Sequence, residues 1–252
     1  MRQLLPRPAV VDPLDAYAVP RPRPGGRPWV AGLMASSADG AAAVDGRSGA
    51  LGGDGDRLVF RAVRALADAV LVGAGTVRDE AYGPARTIED HRATRTARGQ
   101  APHPRLVVVS GRLDLDPGLR LFAEADGTTP PPLVVHPPTA PARARRLLDG
   151  RAELVEVAAG PGGGVDPHAV LGVLDGLGLD VVVCEGGPSL NGTLLEADLL
   201  DELCLTLDPR VVGGASPRIA HGPAPAIARD WHPAHLLEHD GVLFWRLLRR
   251  RR

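Results

Sequence analysis

The 252-residue sequence predicts an α/β protein: a mainly parallel sheet with helices on both faces and an antiparallel edge at its C-terminal end. Three observations predict it. Short uncharged apolar runs such as VLVG, LVVVS and VVVC recur along the chain, and such runs suit strands buried on both faces. Stretches with helical spacing separate most of them, as crossovers between parallel strands require. The last two runs, 201–209 and 241–249, are joined instead by a long piece with no helical pattern, so an antiparallel pairing is expected there.

Residues 1–27 are rich in Pro and Arg and lack periodicity, so they are expected to be an irregular arm before one domain spanning 28–252. PWVAGLMAS (28–36) reads as the first buried strand, followed by a turn in which Gly40 can take positive φ. A helix follows, with Asp54 as its cap and Leu58, Arg61, Val63, Leu66 and Ala67 at rough helical spacing. ADAVLVG (67–73) is a strand that ends in GAGT, and the polar, Arg-rich stretch 83–104 reads as a surface loop. Strands are expected over 104–110, 131–137 and 153–158, with a helix from about 141 to 148. GPGGG (160–164) reads as a flexible link, and Asp166 caps a helix over 167–177 with Pro167 in its first turn. LDVVVCE (179–185) is a buried strand, followed by a helix from about 188 to 197. HLLEH (235–239) has inverted zinc-protease spacing, but Pro233 and Asp240-Gly241 leave no room for the helix that would align both imidazoles. It reads as a polar turn before the last strand.

Composition excludes several functions. Hydrophobic residues make up 44%, enough for a full core, while 3% aromatics argues against base-stacking nucleic-acid modules. A net charge of −1 provides no field for a polyanion. All 29 basic residues are Arg, so neither a P-loop nor a Schiff-base lysine is possible. Cys184 and Cys204 sit in apolar runs and read as small core side chains. No long apolar stretch suits a membrane, and a cytoplasmic protein without a metal site is expected. The sequence also lacks the G-x-S-x-G elbow of serine hydrolases.

Two segments carry chemistry. In VLVGAGTVRD (70–79) the third glycine of a dinucleotide fingerprint is replaced by Arg78, which excludes the ordinary Rossmann reading. Gly73 and Gly75 still let backbone approach a ligand at a strand end; a plain tight turn is the alternative. In EGGPSLNGT (185–193) a buried strand ends in Glu-Gly-Gly and a helix opens at Pro188. Helix N-termini offer unpaired N–H groups and a partial positive charge to phosphates. Gly186 and Gly187 clear the approach, Ser189 and Thr193 add hydroxyls, and Glu185 is placed to point into the crevice. An ordinary strand–turn–helix joint is the alternative here.

Together MASSADGAAAVDGRSG, ADAVLVGAGTVRDEAYGPAR, PRLVVVS and VCEGGPSLNGTLLEADLLDELCLTLDPRVVGG carry a resemblance over about residues 28–249. In order and spacing they resemble the C-terminal reductase domain of the riboflavin biosynthesis deaminase–reductase family, which has a dihydrofolate reductase-like fold. The resemblance implies NADPH as cofactor and a phosphorylated pyrimidine as substrate. The substrate implied is 5-amino-6-(5-phosphoribosylamino)uracil, whose open-chain sugar imine carbon accepts the hydride. Cofactor contacts fall by resemblance at Ser36, Gly73, Gly75, Thr76, Glu80 and Ser110, and at Gly186, Gly187, Pro188, Ser189, Leu190 and Thr193. Substrate contacts fall at Ser48, Arg64, Arg86 and Glu185. Glu185 and Glu80 are the catalytic candidates; Asp39 is a further carboxyl for the proton, and water is equally open. A homodimer is also implied, with the apolar last strand Gly241–Leu248 as its candidate contact, because a long edge needs cover.

Three departures stand out. No H-x-E with P-C-x-x-C occurs in these residues, so the zinc deaminase half is not encoded here. The acid after Gly-Thr-Val is Glu80, followed by Ala81-Tyr82-Gly83-Pro84 where Asp-Pro is common. Leu33 stands where a Lys commonly precedes the Ser-x-Asp-Gly turn. These changes keep two other readings open: dihydrofolate or pterin reduction on the same fold, and NADPH binding without turnover.

Overall fold

The computed structural model describes residues 1–160, 163–222 and 228–251. Its strands are β1 (Arg2–Leu5), β2 (Ala9–Val10), β3 (Trp29–Ser37), β4 (Ala69–Gly73), β5 (Arg105–Val109), β6 (Leu133–His136), β7 (Glu153–Glu156), β8 (Val181–Cys184), β9 (Glu202–Asp208), β10 (Trp231–His239) and β11 (Val242–Arg249). Its helices are α1 (Pro13–Tyr17), α2 (Gly53–Ala65), α3 (Ala74–Asp79), α4 (Glu89–Ala97), α5 (Arg120–Ala123), α6 (Ala142–Leu148), α7 (Pro167–Gly176) and α8 (Pro188–Glu196). All the strands join one sheet in the order β2-β1-β10-β11-β9-β3-β8-β4-β5-β6-β7. From β9 to β7 in that order neighbours run parallel. The strands β11, β10, β1 and β2 add to the other side of β9 in antiparallel pairs. The expected architecture therefore holds, antiparallel edge included.

The apolar runs are explained by what covers them. In β4, Ala69 and Leu71 enter one core while Val70 and Val72 enter another, because side chains alternate across the sheet. One face packs on α7 and α8 through Val170, Leu174 and Leu194. The opposite face is covered by α2 through Val59 and Val63, and by α3 and α5 through Val77 and Leu121. Strand β8 lies between β3 and β4, with Val181 opposite Trp29 and Cys184 opposite Leu71. Both cysteines are free and buried, as their apolar runs implied.

Several expectations are corrected. Residues 1–27 are not irregular: β1 pairs with β10, and the fully buried Tyr17 meets His235 edge-on with ring centroids 4.6 Å apart. Local composition hid this because the partners are remote; Arg2 bonds Glu238, 236 positions away. The stretch 83–104 contains α4, held by the buried Arg95, which donates to the carbonyls of Ala65, Ala67 and Ala101. A polar anchor therefore stands where an apolar face would have signalled a helix. The cap of α2 is Gly52 in a left-handed conformation; Asp54 sits inside the first turn and pairs with Arg57. HLLEH belongs to β10 rather than a turn. Strand spacing of about 3.3 Å per residue sets His235 and His239 about 13 Å apart. The last strand is not an edge: β11 is hydrogen-bonded to β9 and β10, so Gly241–Leu248 has no free ladder to offer a partner. Pro161 and Gly162 of the expected link, and 223–227 of the connection before β10, lie outside the described residues.

The antiparallel half is fastened by one buried acid. Glu202 of β9 is fully buried and accepts from Arg21, Arg246 and the Trp29 indole at 2.9–3.2 Å. Burial alone would raise its carboxyl, but Arg21 and Arg246 overcome that and hold it at about 2. A depressed carboxyl contributes stability that is complete above its unfolded value and lost as pH falls through the folded one. Unfolding monitored by denaturant should therefore show stability falling between pH 4.5, the free value, and about 2. Glu202→Gln should cost about 3–5 kcal/mol at neutral pH, because it leaves buried guanidiniums unpaired. It should also flatten the acid limb; an unchanged limb in the variant would assign that titration to another group.

Candidate active site

The C-terminal ends of β3, β8, β4 and β5 meet along one edge of the sheet, the side on which open parallel sheets bind ligands. Helix α3 starts directly after β4, and α8 starts at Pro188 after the Glu-Gly-Gly turn, as its sequence implied. The two turns touch: Gly73 N donates to Gly186 O at 2.8 Å. A Cβ on Gly73 would lie 3.5 Å from Gly187 N, and one on Gly187 would lie 2.6 Å from Thr76 Oγ1. Gly186 has a φ of 90°, and the peptide joining it to Gly187 is cis. The cap of α8 is Gly187, without a side-chain hydrogen bond, so the N–H groups of Ser189 and Leu190 open the helix. This cradle of bare backbone at a positive helix end fits the pyrophosphate of a nicotinamide dinucleotide. Gly73–Thr76 and Gly186–Leu190 are the residues that would hold it.

Other cofactor-side expectations are less directly placed. Ser110 follows Val109, which pairs with Gly73, so it lies one strand away and is buried. Ser36 is buried near the end of β3 with its hydroxyl on Ser37 O. The Thr193 hydroxyl donates back to Ser189 O within the helix, and Ser189 Oγ lies 3.3 Å from His221 Nε2. The Thr193 hydroxyl is thus used within the helix, while the Ser189 hydroxyl lies against His221 beside the bare backbone of the turn.

Beside the cradle, on the α2 face, lies a cavity of ≈ 600 Å³ that brings together Ser48, Arg64, Thr76, Glu80, Arg86 and Glu185. Glu185 is clamped: Arg64 donates to it through Nε and Nη2 at 2.5 and 2.6 Å, and the Tyr82 hydroxyl donates at 2.7 Å. The Arg64 guanidinium lies 4.3 Å from the Phe60 ring centroid and 5.7 Å from that of Tyr82. Burial would lower the Arg64 value, but the Glu185 carboxylate wins and raises it. Burial, then Glu185, pushes the Tyr82 phenol well above its usual range, so it stays a donor. Arg64 and Glu185, expected to meet substrate separately, are therefore bound to each other; Arg64 keeps only Nη1 outside that pair.

The remaining expectations are similarly engaged. Glu80 Oε1 accepts from Ser48 N at 2.7 Å, so a residue expected at the cofactor supports one expected at the substrate. Arg86, at the rim, donates to Asp126 and to Glu124 O at 2.8 and 2.7 Å. Asp39 is held to about 2 by the Ser37 hydroxyl and the Gly213 and Val212 N–H groups, which makes it a turn organiser and a poor proton donor.

Sequence reasoning missed Asp56, Phe60 and Thr206, met Arg61 only as a helix position, and met Tyr82 only as a departure. A signal for three of them exists. Gly53, Asp56, Arg57, Phe60, Arg61 and Arg64 recur at spacings of three and four, one face of α2, and all line the cavity. Arg61 is exposed and has no ion-pair or hydrogen-bond partner among the described residues.

A parallel sheet with a glycine cradle and a polar cavity at the same edge defines an α/β protein whose strand ends suit a phosphate-bearing cofactor. Residues 28–238 match the RibD C-terminal domain, and the chain belongs to that family. Its relatives include the 2,5-diamino-6-ribosylamino-4(3H)-pyrimidinone 5′-phosphate reductase of Methanothermobacter thermautotrophicus, 31% identical over 199 residues, 75% of this chain and 81% of that one. The riboflavin biosynthesis protein RibD of Mycobacterium tuberculosis is 31% identical over 191 residues, 75% of this chain and 44% of that one. A pyrimidine reductase-like protein from Corynebacterium diphtheriae shares the fold with a TM-score of 0.84 over 96% of this chain and all of its own, at 24% identity.

Gly187→Ala should leave the fold intact, because Gly187 has ordinary extended angles, but should force Thr76 Oγ1 away from 2.6 Å. Calorimetry should then show about tenfold weaker cofactor binding, a loss of about 1.4 kcal/mol. Affinity within error of wild type would remove the pyrophosphate from this turn.

Proposed function

We propose that this chain is an NADPH-dependent reductase of a ribosylaminopyrimidine 5′-phosphate, converting the open-chain sugar imine into a ribitylamine. The observation that carries the reading is the polar cavity that abuts the double-glycine cradle, with Thr76 belonging to both. When bound, the dihydronicotinamide supplies a hydride to the imine carbon. The chain's own contribution is placement. The Arg64–Glu185–Tyr82 clamp sets one wall of the cavity, and Ser48, held by Glu80, sets another. The proton that completes the amine is assigned to water, since Glu185, Glu80 and Asp39 are each held by other donors.

The substrate phosphate is assigned to Arg61 with the free Nη1 of Arg64, because Arg86, Arg120 and Arg57 already face Asp126, Glu124 and Asp54. Guanidinium suits a phosphate because its fork binds two oxygens. A homodimer in the cytoplasm is part of the same proposal; light scattering should show twice the chain mass of 26.3 kDa.

Steady-state assays with NADPH, NADH, phosphorylated pyrimidines and dihydropteridines test the reading. Pyrimidine turnover with NADPH should exceed the NADH rate, and Arg61→Ala should raise KM for the phosphorylated substrate about tenfold, as for one lost charge-assisted bond. NADPH affinity should not change in that variant. Faster dihydropteridine than pyrimidine turnover would select the pterin reading, and binding without turnover of either would end the enzyme reading.

A further inference from the structure

The chain has four sulfur atoms, in Met1, Met34, Cys184 and Cys204. The two thiols are closed to an oxidant in solution. Both are buried, and burial pushes the Cys184 thiol up to about 12 and the Cys204 thiol well above its usual range, so neither supplies a thiolate. Met34 differs. It is half-buried on β3 and lines the cavity beside Leu33 and Ala35. Its thioether lies where cavity and cradle meet: a Cβ on Gly186 would fall 3.3 Å from Met34 Sδ and 3.4 Å from Cε. The buried Asn191 of α8 holds it there, donating through Nδ2 to Met34 Sδ at 3.0 Å and to Ile219 O at 2.8 Å. The Ile219 carbonyl fixes which end of the amide faces the sulfur, because only the nitrogen can donate to it. Asn191 Oδ1 in turn accepts from Cys184 Sγ at 3.3 Å, so both ends of the amide are engaged.

We infer that Met34 is an oxidation site: a hydroperoxide entering the cavity converts its thioether to the sulfoxide, and the sulfoxide closes the cradle to the dinucleotide. The effect on binding rests on the cofactor reading above; the modification itself does not. A sulfur lone pair attacks one peroxide oxygen. The S–O bond forms as the O–O bond breaks, and the sulfur gives up two electrons. The departing oxygen takes the proton of the transferred one and leaves as water. A flexible apolar group thereby becomes a polar, chiral one. An oxygen set on the Asn191 side displaces an amide that lies 3.0 Å from the sulfur and releases the Ile219 carbonyl. An oxygen set elsewhere puts a polar group into a junction already tight at Gly186. Either way the fit of β3 against the turn that would receive the pyrophosphate is lost. A bound dinucleotide crosses the same junction and covers the sulfur, so occupancy and oxidation oppose each other.

The test treats the full chain with hydrogen peroxide, removes the peroxide with catalase, and then reads oxidation by peptide mass mapping and NADPH affinity by calorimetry. Met1 lies outside the cavity and serves as the internal reference. In the free protein both methionines should gain an oxygen, and NADPH affinity should fall about tenfold, as for one buried polar group left without a partner. With NADPH present at about ten times its Kd, Met34 should oxidise about tenfold more slowly while Met1 keeps its rate. Met34→Leu keeps the volume and has no sulfur to oxidise, so its affinity should survive the same treatment. Over a time course in wild type, the fraction of chains that lose affinity should equal the fraction oxidised at Met34, a reading that needs no variant. Met34 left intact while Met1 is oxidised would overturn the site. Oxidised Met34 with unchanged affinity, a loss that tracked Met1, or an equal loss in treated Met34→Leu would overturn the inference while leaving the cofactor reading in place. Untreated protein that bound no NADPH would sink the cofactor reading, and the closing of the cradle with it.

Discussion

Strand β8 runs between β3 and β4, and its hydrogen bonds to both hold together segments more than a hundred residues apart. Val181 N donates to the Asp68 carboxylate at the start of the pairing, and Glu185 N donates to Leu71 O at its end. That register fixes which side of the sheet each neighbouring residue occupies. Cys184 faces the α7–α8 core, so Glu185 falls on the opposite side, into the α2 cavity. The next two residues have no side chain and lie against Gly73. Cradle and cavity are therefore two faces of one strand end, and a slip of one residue would exchange them.

The cavity's charge is largely internal. A buried carboxylate with two bonds from one guanidinium and a third from a phenol adds little net stability, because desolvation offsets attraction. It does fix geometry, tying α2 to the end of β8 through Arg64 and stacking that arginine on Phe60.

The features legible in the sequence were those with local causes. Runs such as VLVG and VVVC show double burial because no polar residue survives there. Gly187 and Pro188 mark a helix start because steric rules act on neighbours. What stayed hidden depends on remote partners. β1 is a strand because β10 lies beside it, α4 is held by the polar Arg95, and β10 contains Pro233 yet pairs on both sides. At the site, residue types were legible and their engagements were not: nothing local to Arg64 or Glu185 shows that they bind each other across 121 positions. The stripe on α2 recurs with helical period, but nothing local to its polar members distinguishes a cavity wall from a solvated face.

The family match ends at residue 238, inside β10, and begins at residue 28, beyond the N-terminal arm. The fold does not break at either place. A fragment trimmed to the matched span would lose β11, which joins β9 to β10, and would strip both Arg21 and Arg246 from Glu202. It would carry every glycine of the cradle and every arginine of the cavity and still open two ladders to water, with an unneutralised acid at their centre. In this chain the unit that folds together is thus larger than the matched span, and a truncation of it is best cut by strand partnership.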